Sequence, residues 1–371
     1  MATAAVTCGA SETADSGVPP RSTPGIAARW DHRVVPGSWT APLRSMLTSI
    51  RRGEAGMFSD FGTIAKVVVS LETRNVSLWH ACQLRDLDAY IRAGGVPSRQ
   101  LLERRHLSFT PFVTDATDRR NGVWSKVFVN LADFGASFAR GSRAVPNPYG
   151  PIALQLRPTA LLEASDVAIC LRSAGASDFD RPGESLASPD DVDRLFAYPA
   201  TAGVFDRMEP LFGDRLREVF SPQFPFATAP EASLSLASGR IGLGYLVAVW
   251  VDPLIVNDHP LFDAVREAIG DLAPVRPRWM TGERRAVCED IARVIADGMP
   301  PRLRLLQGRA DVSAETRAWA ASVDEIGLDW QFERFAGYLR DGTLDVLRSG
   351  TGAGPERKPA VHRPIDARMP S

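Results

Sequence analysis

Lysine is nearly missing from this chain. Only Lys66, Lys126 and Lys358 stand among 43 basic residues, so arginine carries the positive charge. With Ala, Gly and Pro so frequent, this reads as compositional drift, and the arginine count alone says nothing about phosphate binding. Cysteine is also sparse: Cys8, Cys82, Cys170 and Cys288 are scattered without a CxxC pair. That excludes a zinc knuckle and a disulfide framework and fits a reducing cytoplasm. Long apolar runs are absent; the longest, Tyr245 to Val251, falls well short of the roughly 20 residues a membrane helix needs. No basic segment followed by an apolar one opens the chain, so secretion is not expected. Excess charge is lacking too. A net charge of −1 excludes a molecule that is basic all over, and a nucleic-acid substrate would need a local basic face. Arg85, Arg92, Arg99, Arg104, Arg105, Arg119 and Arg120 could supply one, offset by Asp86, Asp88, Glu103, Asp115 and Asp118.

Several chemical signatures are missing as well. There is no P-loop, HExxH or GxSxG elbow. Gly239, Gly242 and Gly244 form a glycine string between two expected strands and open no helix, so they are not a dinucleotide fingerprint. His80-Ala81-Cys82 has no partner pair at useful spacing, and no metal is expected. Asp190, Asp191 and Asp193 read as a charged helix start. Trp79, Trp124 and Trp250 read as core residues rather than base-stacking platforms.

What is present is a 371-residue chain, 44% hydrophobic, able to bury one large core or two smaller ones. Residues 1–28 are poor in large apolar groups and are expected to be a disordered tail. A domain over 29–255, a helical region over 256–349 and a disordered tail over 350–371 follow. Leu43 to Arg51 reads as a helix and Ile64 to Leu71, rich in β-branched residues, as a strand. Further strands are expected at Val123–Asn130, Pro151–Leu156, Asp166–Leu171, Glu231–Leu236 and Gly244–Val251. Helices are expected at Gln100–Arg105, Ala132–Arg140, Asp190–Phe196 and Phe205–Phe220. Thr110 to Gly122 reads as a polar stretch that holds Asp118-Arg119-Arg120 in a loop or at a helix edge, and Asp178 to Pro189 reads as a polar loop. Beyond Pro253 the chain turns helical, over Leu261–Ile269, Arg284–Asp297, Thr316–Ala321 and Trp330–Leu347, broken by Pro274, Pro277, Pro300 and Pro301.

Leu78 to Arg99, LWHACQLRDLDAYIRAGGVPSR, is the most informative stretch. Val76 to Trp79 reads as a strand that delivers His80 at its end. Leu84, Leu87 and Ile91 recur at helical spacing, and Gly94-Gly95 stops the helix. A histidine there either caps a hydrophobic corner or presents an imidazole to a ligand. The unit resembles the N-terminal signature of the DarT-type DNA ADP-ribosyltransferases, matched without a gap through Trp79-His80, Leu84, Leu87, Ile91, Gly94-Gly95, Val96 and Ser98-Arg99. It departs at Cys82, where the family often has threonine. RNA 2′-phosphotransferases share a looser form of the pattern. A second segment, PEASLSLASGRIGLGYLVAVWVDP, resembles the setting of the family's catalytic glutamate and points to Glu231. Arg119 and Arg120 stand where the family carries an arginine-bearing segment. The family's Arg-x-Pro-Met-Leu-Tyr-like stretch is replaced here by Val127 to Phe138, which concerns the acceptor more than NAD.

The resemblance implies an α+β fold with a split, mixed sheet of the ADP-ribosyltransferase kind, followed by the helical C-terminal region. It implies NAD as substrate, with Glu231, Arg120 and Arg119 as catalytic residues and His80, Cys82 and Gly95 at the NAD site. The acceptor would be a base of single-stranded DNA, and the protein a cytoplasmic toxin or anti-phage effector with a macrodomain antitoxin as possible partner. An RNA 2′-phosphotransferase and a catalytically inactive binding module are the alternatives on this fold. If Glu231 is not the carboxylate, Glu184 and Glu209 come next.

Overall fold

Backbone pairing and side-chain burial place the strands and helices of the computed structural model, which describes residues 57–133, 135–139, 144–170, 173, 185–195, 230–256, 258–300 and 302–349. The expected tails over 1–28 and 350–371 and the helices over 43–51 and 205–220 lie outside these residues. So do most of the loop over 178–189 and the fallback carboxylates Glu184 and Glu209. The described strands are, in chain order, β1 (Leu78–Cys82), β2 (Gly95–Pro97), β3 (Val127–Asn130), β4 (Ile152–Leu156), β5 (Ala164–Cys170), β6 (Glu231–Leu236), β7 (Arg240–Gly242), β8 (Leu246–Val251), β9 (Ile255–Val256), β10 (His259–Pro260) and β11 (Val275–Pro277). Seven form one sheet in the order β11-β8-β4-β1-β3-β6-β5. Each neighbouring pair is antiparallel except β8 with β11, so the sheet is mixed. Strand β2 pairs separately with β7, and β9 with β10. The fold is α+β: a mixed sheet followed by a helical C-terminal region, with helices at Leu261–Ile269, Gly282–Ala296, Leu303–Gln307, Ala314–Glu325 and Asp329–Leu339.

The segment expected as a strand at 64–71 is instead part of a helix, Phe61–Thr73. Asp60 caps it by accepting from the Thr63 amide at 2.8 Å. Ile64, Val67, Val68 and Leu71 are buried, while Val69 is 61% exposed. Those buried positions have helical spacing. An N-cap and an apolar stripe together outweigh a β-branching preference of a few tenths of a kcal/mol per residue.

Strand β1 also differs from expectation, because it runs two residues past His80 rather than ending there. Its pairing with β4 is continuous from Leu78↔Leu156 to Cys82↔Ile152, so the ladder keeps the backbone extended. The helix that follows, Leu84–Ala93, begins where the Asp86 carboxylate accepts from the Gln83 amide at 3.2 Å. Gly94, at φ +77°, closes it. Gly95 belongs to β2, pressed so close to β7 that an added Cβ would lie 2.0 Å from the Ile241 carbonyl oxygen. Of the two settings open for Asp118-Arg119-Arg120, the structure has the helical one, at the end of helix Asp115–Arg120.

One hydrophobic core joins sheet and C-terminal helices, running from Phe58 to Leu347. The helices reach back to the start of Leu84–Ala93 through polar contacts as well. In a turn of π-helix, Arg340–Leu344, the Thr343 hydroxyl donates to Gln83 Oε1 at 2.7 Å and accepts from the Leu84 amide at 3.1 Å. An added Cβ on Gly342 would lie 2.6 Å from Gln83 Cβ. Elsewhere a buried Arg278 ties the sheet end together, ion-paired with Asp133 and Asp252.

Candidate active site

His80 sits in mid-strand where the sheet begins to part. Strands β1 and β3 share a single register pair, Trp79↔Asn130. Beside it, the His80 Nδ1 lies 2.7 Å from the Phe128 carbonyl oxygen and Nε2 lies 3.0 Å from the Tyr90 hydroxyl. A carbonyl can only accept, so Nδ1 carries the proton and the Tyr90 hydroxyl donates to Nε2. The tautomer is thereby set. Burial pulls the imidazole pKa down to about 4; the Phe128 carbonyl opposes this and the Arg99 charge adds to it. The ring is neutral at physiological pH. Any ligand hydroxyl reaching it must share Tyr90's place or bond to Tyr90 itself.

Glu231 opens β6, two strands from His80 in the sheet. It stands opposite Asn130 on one side and Cys170 on the other. Residues directly opposed in an antiparallel pair project from the same face, with Cβ atoms about 4.5–5.5 Å apart. Trp79, Asn130 and Glu231 therefore form a row across three strands. The charge of Glu231 reaches Tyr149, whose hydroxyl pKa is raised first by burial and then by that carboxylate. Tyr149 packs edge-on to Phe112 at 5.8 Å, and Phe112 packs edge-on to Tyr338 of the C-terminal helices at 4.6 Å.

The arginine drawn into this neighbourhood is Arg99, which the sequence offered as one member of a basic face and as the end of the matched 78–99 unit, with no role assigned. Its guanidinium lies over Phe109 and Phe112, at 4.7 and 4.9 Å from the ring centroids. Its Nε is 3.9 Å from Asp115, and its buried Nη1 has no hydrogen-bond partner. Around it three carboxyls have raised pKa values: Asp86, Asp115, and Asp118, the last at about 6. Burial is the leading cause in each case and Arg99 opposes it.

Arg119 and Arg120 lie elsewhere, exposed on helix Asp115–Arg120. Arg119 pairs with Glu103 and stacks over Trp124, 3.7 Å from the ring centroid. Arg120 donates to Thr117 Oγ1 at 3.1 Å. Cys82 was expected at the NAD site, but its side chain is in the core, 1% exposed, and burial holds its thiol well above the usual range. Gly95 is engaged in the β2–β7 pair. The basic face is laced with acid: Arg92 pairs with Asp88, Arg99 with Asp115 and Arg119 with Glu103.

Sequence reasoning missed Tyr90, Arg99, Asn130 and Tyr149. Tyr90 was legible as the helix residue ten beyond His80. Asn130 was legible only as a polar end to an apolar strand. Asn130 Nδ2 and Ser233 Oγ are buried without a hydrogen-bond partner, on the same face as Glu231. Among the described residues no group of three or more His, Cys, Asp or Glu could hold a metal ion, and no helix is long and apolar enough to cross a membrane. Chemically, the region offers a fixed neutral imidazole, a carboxylate at a strand start and, on the carboxylate's face of the sheet, two unsatisfied polar groups. No protein-family model matches the chain, and no curated protein matches it either.

Proposed function

We propose that this protein is an NAD-dependent ADP-ribosyltransferase of the DarT type that modifies a base of single-stranded DNA. The observation that carries the reading is the 78–99 unit. Its ungapped resemblance coincides with a compact strand, helix and glycine stop, whose histidine is neutral and held in one tautomer. The row Trp79–Asn130–Glu231 supports a carboxylate close to that unit.

In the proposed reaction the bond from ribose C1″ to the nicotinamide nitrogen breaks, and nicotinamide leaves with the bonding pair. A lone pair of the acceptor base forms the new bond at C1″, and the acceptor's proton passes to the Glu231 carboxylate. The same carboxylate stabilises the oxocarbenium-like charge that develops on the sugar. Preorganised groups of this kind are worth roughly 10²–10³ in rate. The Tyr90 hydroxyl, fixed by donating to His80 Nε2, presents its oxygen to a ribose hydroxyl, so His80 acts on the ribose through Tyr90, a gain from positioning. Of the two surface arginines, Arg120 suits an acceptor phosphate better, because Arg119 is held by Glu103 and Trp124. A cytoplasmic toxin or anti-phage role with a macrodomain partner belongs to the same proposal.

The test is to incubate purified protein with NAD labelled in the ADP-ribose portion and single-stranded DNA of varied sequence. Label on DNA with release of nicotinamide is the expected result. NAD consumption only with RNA bearing an internal 2′-phosphate would assign a phosphotransferase instead. No calorimetric NAD binding at all would leave an inactive binding module.

A further inference from the structure

We propose that Asn130, Ser233 and Glu231 form a site that reads a planar amide edge, a carbonyl next to an N–H. The proposal takes Glu231 as a working carboxylate and so rests on the function proposed above. Asn130 and Glu231 are a direct cross-strand pair, and Ser233, opposite Phe128, follows Glu231 on the same face. Ser233 is 4% exposed, and both its hydroxyl and the Asn130 Nδ2 are buried without a hydrogen-bond partner. Most buried polar groups in folded proteins are satisfied, and two orphans diagonal to each other on one face of β3 and β6 need an explanation. Neither supports the fold, since a group without a partner costs stability rather than adding it.

A partner that satisfies them must match their order. Asn130 Nδ2 can only donate, so it calls for a carbonyl oxygen. The carboxylate can only accept, so it calls for an N–H. Directly opposed side chains about 5 Å apart match the spread of a neighbouring C=O and N–H on one flat group. Ser233, able to donate or accept, sits one step further along the strand. Carboxamides have this edge, and so do the lactam edges of thymine, uracil and guanine; adenine and cytosine lack it. Two sources are therefore possible: the nicotinamide carboxamide of NAD, or the acceptor base.

The side-chain amide resonance of Asn130 in ¹⁵N-labelled protein reads the contact directly and requires no turnover. It is followed during separate titrations with nicotinamide, thymidine and guanosine, and with 3-methylthymidine, whose N–H is replaced by a methyl group. A shift with nicotinamide alone assigns the NAD carboxamide. A shift with thymidine or guanosine, absent with 3-methylthymidine, assigns the acceptor base. No shift with any of the first three at millimolar concentration overturns the proposal. If wild-type protein neither binds NAD nor transfers ADP-ribose, the proposed function fails, while this titration still decides the amide site. Asn130→Ala should melt no lower than wild type, having no hydrogen bond to lose, and should lower kcat/KM for transfer by about 10-fold or more. A well-folded Asn130→Ala with NAD affinity and transfer both within about 2-fold of wild type would also refute it. Should Asn130→Ala not fold, Asn130→Ser serves for the same comparison.

Discussion

Acid should destabilise this protein through His80, and the size of the effect follows from its surroundings. The imidazole is held neutral, with a pKa near 4 against an ordinary value of 6.5. Between those values the unfolded chain binds a proton that the folded chain refuses, so stability rises with pH across the window. The contribution is complete above pH 6.5 and is lost as pH falls toward 4. A difference of about 2.5 pH units at about 1.36 kcal/mol each sets a ceiling near 3.4 kcal/mol, and about 3 kcal/mol is lost between pH 7 and pH 4. Asp118 and Asp252 have raised pKa values, both about 6, and pull the other way, so wild type alone does not isolate the histidine. His80→Gln supplies the reference, since its amide does not titrate. Urea denaturation of both proteins at pH 7 and pH 4 should show wild type losing about 3 kcal/mol more than His80→Gln. Equal pH dependence, or an imidazole that titrates near 6.5 by NMR, would refute the argument.

Other outcomes follow from the same structure. Arg278→Ala should cost about 3–5 kcal/mol in chemical denaturation, because it strands Asp133 and Asp252 together as buried carboxylates; a loss below 1 kcal/mol would show the cluster to be solvated. Gly95→Ala has no room beside the Ile241 carbonyl and should separate β2 from β7, seen as faster amide exchange at Val96 and Ile241 and a stability loss of about 1–3 kcal/mol or more. Glu231→Ala should fold, keep NAD binding and lose transfer, because the carboxylate acts on charge present only in the transition state. His80→Ala should weaken NAD binding and transfer together, and near-wild-type transfer by Glu231→Ala would move the carboxylate elsewhere.

Local signals in the sequence carried much of the fold. Leu84, Leu87 and the Gly94 stop mark their helix, and the bounds Leu261–Ile269 and Glu231–Leu236 are read directly from apolar periodicity. At 64–71 two local signals conflict, β-branching against helical spacing, and the Asp60 cap decides for helix. The β2–β7 pair was not legible. Three-residue strands carry almost no periodicity, and their partner lies more than 140 residues away in sequence. The end of β1 was misjudged for a similar reason, because β4 extends it beyond the histidine. At the candidate site, residue types were readable and neighbours were not. Cys82 follows His80 by two residues in one strand, so it shares that face and packs into the core, whereas the Arg99 charge is felt at the ring through the course of the intervening helix and strand.

The contact of Thr343 with Gln83 has a consequence in time as well as in space. The two residues are 260 positions apart, and their hydrogen bond sits one residue beyond the end of the strand that holds His80. A ribosome making this chain delivers His80, Tyr90 and Glu231 long before it delivers Thr343. Until then the Leu84 amide and the Gln83 carboxamide lack the hydroxyl that joins them, and the helix carrying Tyr90 lacks that support at its first turn. The His80 centre is thus among the last parts of the nascent protein to be completed.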